Sequence, residues 1–118
     1  MVANKAKRGR ASGNDVVTVS DLEACYNSGD DVIALSCTVT TTDPSSSISG
    51  VGMMLNNSEG ATLASSYTEL SNGSQSVTPA LNLPPSGLKV GDSIWGVVSG
   101  EAQKEHYFFE QELVIESC

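Results

Sequence analysis

"DVIALSCTVTTT" (residues 31–42) decides how the rest of the chain is read. Ile33, Leu35, Cys37 and Val39 fall on one side of an extended chain, and Ala34, Ser36, Thr38 and Thr40 on the other. Side chains alternate with period two in a strand. The β-branched residues suit a pleated, half-buried surface. No helix-length window carries the stripe of an amphipathic helix. "SDLEACY" (20–26) comes nearest, with Leu22 and Tyr26 four apart and Ser20 as a cap. It is read as a strand, because "VVTV" (16–19) runs straight into it.

Alternation continues outward from that segment. In "SISGVGMMLN" (47–56), Val51, Met53 and Leu55 share one side. Gly50 and Gly52 face the other, leaving room for a close neighbour or marking a bulge. "NNSEG" (56–60) reads as a loop into "ATLASSYTEL" (61–70). "SNGS" (71–74) contains Asn72-Gly73, which tolerates positive φ and predicts a hairpin. In "QSVTPALNL" (75–83), Pro79 lacks a backbone donor, which places the strand at an edge or a bulge. "PPSG" (84–87) is a turn, and "SIWGVV" (93–98) and "HYFFEQELVIES" (106–117) are strands. In the last, Tyr107, Phe109, Leu113 and Ile115 point inward against Phe108, Glu110, Glu112 and Glu116. The expected strands are 16–26, 32–42, 47–56, 61–70, 75–83, 92–99 and 106–117. Two stacked antiparallel sheets bury such one-sided strands, so the expected fold is an all-β sandwich over residues 16–118. Residues 1–15 form an extended N-terminal arm.

From Val16 onward the pattern resembles the immunoglobulin-like sandwiches found among phage decoration and accessory proteins. "VIALSCTV" is similar to the second strand of that family, and "LKVGDSIWGVV" to the corner before its sixth. No cysteine follows in "SIWGVV" to bridge Cys37, and the single tryptophan, Trp95, lies in the sixth strand rather than the third. The family disulfide therefore does not carry over. The resemblance implies a binding or structural role without naming a ligand.

Charge is distributed unevenly. Lys5, Lys7, Arg8 and Arg10 are four of the six basic residues, while all fourteen acids lie from Asp15 onward. The acidic body repels nucleic acid and anionic lipid, so only the arm could meet either. No apolar run is long enough to span a membrane, and none follows the basic start to make a signal peptide. The expectation is a chain made and kept in a cytoplasm, or released from it by lysis. Cys25, Cys37 and Cys118 are an odd set without a C-x-x-C pair, which argues against zinc and against a disulfide framework. If "NSGDD" (27–31) is a hairpin turn, Cys25 and Cys37 lie too far apart in register to bond, and free thiols are expected.

Catalytic signals are weak. There is one histidine, His106, and no G-x-S-x-G elbow. Asp30, Asp31, Asp43 and Asp92 fall in turns, where aspartate bonds to local backbone, and no D-x-D-x-D-G calcium loop is present. Neither a catalytic site nor a metal or cofactor site is expected. The glutamates Glu101, Glu105, Glu110, Glu112 and Glu116 read as a solvated face. Met54, Trp95 and Phe108 are candidate interface residues. One register of "SIWGVV" turns Trp95 outward, and the opposite one, the favoured reading, buries it.

The expected function is therefore non-enzymatic. The first reading is a virion structural protein, a phage capsid decoration protein that is a homo-oligomer or is present in many copies in an assembly. Lys5, Lys7, Arg8 and Arg10 would anchor it to the shell protein. A bacterial surface or adhesive binding module is the alternative. A small coat protein whose arm meets packaged nucleic acid is the third reading.

Overall fold

The computed structural model describes residues 9–13, 17–42 and 45–118. Ten strands are present among them: β1 (Gly9–Gly13), β2 (Val17–Asn27), β3 (Val32–Thr41), β4 (Ile48–Asn57), β5 (Thr62–Ser74), β6 (Ser76–Val77), β7 (Ala80–Leu83), β8 (Ser93–Ala102), β9 (Glu105–Val114) and β10 (Glu116–Ser117). They form two sheets, in the orders β1-β9-β8-β4-β5 and β10-β2-β3-β6, and β7 also pairs with β3. This is the expected β-sandwich. The neighbours β2-β3-β7 and β9-β8-β4-β5 correspond to the A-B-E and G-F-C-C′ strands of an immunoglobulin-type sandwich.

The alternation of β3 becomes one wall of the core: Ile33, Leu35 and Val39 are fully buried and Cys37 nearly so. Val51, Met53 and Leu55 of β4, Ile94 and Val98 of β8, and Leu113 of β9 face them from the other sheet. Removing this apolar surface from water is the main stabilising term.

In β2 the inward row changes parity. A bulge lies between Ser20 and Glu23, with Asp21 at φ 57°. Before it the half-buried Val17 and Val19 face the core, and after it the buried Leu22 and Ala24 do. The extra residue lets one long strand keep an apolar row inward although the sequence parity shifts. Leu22 and Tyr26, four apart, share the inward face by strand alternation alone.

Pro79 acts as its chemistry requires. It divides 75–83 into β6 and β7, both along the edge of β3, and its carbonyl accepts from the Cys37 N–H at 3.4 Å. Asn72-Gly73 does not make the expected hairpin. β5 runs on to Ser74, with Gly73 at φ 71°, and four residues bulge where β4 has one. The positive φ serves a bulge at the point where the chain leaves for the other sheet.

The C-terminus brings the largest correction. β9 stops at Val114, and Ile115 is pinned by its N–H to the Asp92 carbonyl (2.9 Å) and its carbonyl to the Gly91 N–H (2.8 Å). The chain thereby changes sheets, and β10 runs parallel to β2, with Glu116 opposite Cys25. Cys118 donates its N–H to the Tyr26 carbonyl at 3.0 Å and is disulfide-bonded to Cys25, with Cα atoms 4.9 Å apart. Of the three expected free thiols, only Cys37 is free, and it is buried.

Candidate functional site

The outer face of the five-stranded sheet gathers the sequence-predicted interface residues. Register places Met54 beside Val97, Asn56 beside Trp95, and Ser99 beside Phe108. Met54, Trp95 and Phe108 are therefore on one face, each half-buried. Trp95 takes the outward register, contrary to the favoured expectation. "SIWGVV" carries apolar residues at both parities, and the core takes Ile94 and Val98, both at 0% exposure. Val97 also points outward, in register between Met54 and Glu110, yet is only 2% exposed. This sheet thus has an apolar centre on its solvent side, which an all-polar outer face would lack.

Tyr67, to which no role falls on sequence grounds, lies on the same face. It pairs with Gly52, and a Cβ on Gly52 would stand 2.9 Å from its Cδ1. A Cβ on Gly50 would stand 2.8 Å from its Cζ. The ring therefore lies flat over the two glycines while remaining 56% exposed. The available signal is the G-x-G pair itself, which leaves room for one neighbour on that side. Beside the ring is a shallow recess of about 270 Å³, whose lining includes Met54, Ser65 and Ser99. The Thr62 hydroxyl donates to Met54 Sδ at 3.3 Å and holds that side chain across the β4–β5 edge.

Acids frame the apolar centre. Glu110 is opposite Val97 and Glu112 opposite Trp95. Glu101 faces His106 at 3.4 Å, at an exposed site. On the far side of β9, β1 adds five antiparallel pairs, with Arg10 opposite Glu110 and Ser12 opposite Phe108. Residues that the sequence assigns to the arm are thus an edge strand of this sheet. Of the anchoring residues, Arg10 is in β1, and Lys5, Lys7 and Arg8 lie outside the described residues.

The groups weighed for chemistry are held in local structure. Asp31 accepts from Tyr26 Oη at 2.7 Å, a bond that raises the Tyr26 pKa, aided by desolvation and by the Asp31 charge. Asp92 accepts from the Lys89 N–H at 3.0 Å, and Asp30 from Asn27 Nδ2 at 3.4 Å. Asp43 lies outside the described residues. Among the described residues no group of three or more His, Cys, Asp or Glu is placed to hold a metal ion, and no helix is long and apolar enough to cross a membrane. A second recess, about 360 Å³, has Tyr26, Asp31, Leu88 and Val90 in its lining and none of the candidate interface residues.

The fold and this face define an acidic β-sandwich with one aromatic, partly apolar sheet surface. No protein-family model matches the sequence, and no curated protein does. Solved structures similar in fold include two DUF3823 family proteins. One is a DUF3823 family protein from Bacteroides ovatus (TM-score 0.55, 17% identity, covering 85% of this chain and 55% of that one). The other is a DUF3823 family protein from Parabacteroides merdae (TM-score 0.57, 11% identity, covering 85% and 52%). This chain therefore spans about half the length of these neighbours. At such identities the likeness concerns the β-sandwich alone.

Proposed function

We propose that the protein is a non-enzymatic structural module displayed on the outside of a larger assembly. The body that best suits it is a virion shell, which it would decorate in many copies. One observation carries the reading: the strand that ends the basic N-terminal segment joins the same sheet that presents Met54, Trp95 and Phe108. Aromatic and methionine side chains supply adaptable contact area, and the cations supply attraction to an acidic partner surface. The acidic body, with two lysines against fourteen acids beyond residue 10, keeps neighbouring copies apart in solution.

The test is made on particles purified from the source of this chain. Mass spectrometry should find the chain in fixed proportion to the shell protein. Particles stripped of it should rebind the full-length chain and fail to rebind a variant lacking residues 2–12 that folds normally by circular dichroism. Absence of the chain from the particles, or equal rebinding of both forms, overturns the reading.

The Cys25–Cys118 disulfide favours a second reading, a surface-exposed adhesive module, because such bonds persist outside reducing compartments. That reading predicts ligand binding that survives deletion of residues 2–12.

A further inference from the structure

β1 pairs with β9 through a backbone ladder that does not depend on which copy supplies the strand. Its sequence, GRASG, offers one methyl group, Ala11, at the register position opposite Phe109. The backbone pairs from Gly9 opposite Gln111 to Gly13 opposite Tyr107, and the register sets Arg10 against Glu110. A ladder and a pair of opposite charges in register are met equally well by a neighbour's strand. β1 is also the outermost strand of its sheet, and only residues 14–16 join it to β2, which belongs to the other sheet. Without β1, β9 is left as an open edge whose outward row carries Glu110 and Glu112. Charge selects the occupant: the first fourteen residues hold four cations and no acid.

We propose that β1 is an exchangeable strand: the acidic β9 edge of one copy accepts the basic N-terminal segment of a second copy, linking the protein to itself. This rests on the reading of the basic segment as an attachment device and names a second copy as a partner for it. Reciprocal exchange closes a two-fold dimer, and one-way exchange builds an open chain. The intramolecular strand has the advantage of effective concentration, on the order of millimolar for a short tether. Exchange is therefore favoured where copies are crowded, as on a particle surface, and is weak in dilute solution.

A charge-swap experiment on the purified protein separates exchange from intramolecular pairing. Arg10→Glu in one chain and Glu110→Arg in another each set like charges opposite one another within a copy. Mixing the two restores opposite charges only between copies. The expected result by native mass spectrometry and light scattering is monomers for each variant alone and a heterodimer in the mixture, weakening as salt rises. The double variant in one chain should return to the wild-type behaviour. A mixture that stays monomeric at millimolar concentration overturns the proposal.

A second measurement covers variants that fold poorly. The protein lacking residues 2–13 should bind a labelled peptide of residues 1–14, and Glu110→Lys should weaken that binding by about tenfold. No peptide binding overturns the proposal equally. No shell protein takes part in either assay, so exchange can fail while shell attachment stands, and the reverse.

Discussion

Breaking the Cys25–Cys118 bond should lower the stability of the whole domain rather than loosen one end. The two cysteines are 93 residues apart in sequence, and the loop they close takes in every strand from β3 to β10. In the chain-entropy account, cross-linking a loop of about that size restricts the denatured ensemble by about 4.6 kcal/mol at 25 °C. Little native structure depends on the bond directly: a two-residue parallel ladder and the Cys118 N–H bond to Tyr26. A domain of this size unfolds with an entropy of about 0.2 kcal/mol per kelvin, so the midpoint should fall by about 20 °C. The assay is thermal unfolding by circular dichroism of the oxidised protein, the reduced protein, and the Cys25→Ser/Cys118→Ser double variant. Intact mass would register the two hydrogens gained on reduction. A shift below about 5 °C at complete reduction would refute the reasoning, because the denatured chain would then not be feeling the constraint. Natively isolated protein with three alkylatable thiols after unfolding would refute the bond itself.

Further outcomes follow from the packing. Tyr107 is buried and donates its hydroxyl to the Gly50 carbonyl at 3.0 Å, so Tyr107→Phe should cost about 1–2 kcal/mol in denaturant titration. A Cβ on Gly100 would stand 2.7 Å from the Tyr107 hydroxyl and 2.8 Å from the Gly50 carbonyl carbon. Backbone cannot step aside, so Gly100→Ala should cost roughly 2–3 kcal/mol. Gly52→Ala should cost less, because the Tyr67 ring it meets is exposed and can swing away; equal losses would contradict the placement of that ring. Burial pushes the Cys37 thiol from its ordinary value near 9 up to about 12, so native protein should resist alkylation at pH 8 until it unfolds. Because the folded pKa lies above the unfolded one, the stabilisation is complete below pH 9 and is lost as pH rises toward 12. Cys37→Ala should flatten that alkaline decline, measured by urea unfolding between pH 8 and pH 11.

Individual residues show where reading the chain succeeds. Ile33, Leu35, Cys37 and Val39 are legible as a buried row because alternation is a property of adjacent residues, and β3 buries all four. The "NNSEG" hairpin is legible for the same reason: Gly60 takes φ 93°, and Asn57 accepts and donates across the turn. Met54 and Phe108 are legible as outward, since their neighbours Met53 and Tyr107 claim the core. Trp95 is not, because Ile94, Trp95, Val97 and Val98 give either parity an apolar row. The Tyr67 ring is half legible: Gly50 and Gly52 announce a close neighbour but not its name.

The sequence by itself determined where most strands lie, the buried faces of those with a single apolar parity such as β3 and β4, the edge or bulge required by Pro79, and the separation of a basic start from an acidic body. Each depends on side chains within a few positions of one another. Tertiary structure alone decided that Ile115 carries the chain across to β2 and brings Cys118 to Cys25, that Asn72-Gly73 makes a bulge, and that residues 9–13 lie along β9. These are pairings between distant segments, and local preference is nearly the same for every candidate partner. The choice among them is made by which arrangement closes the shared core and satisfies the backbone at its edges.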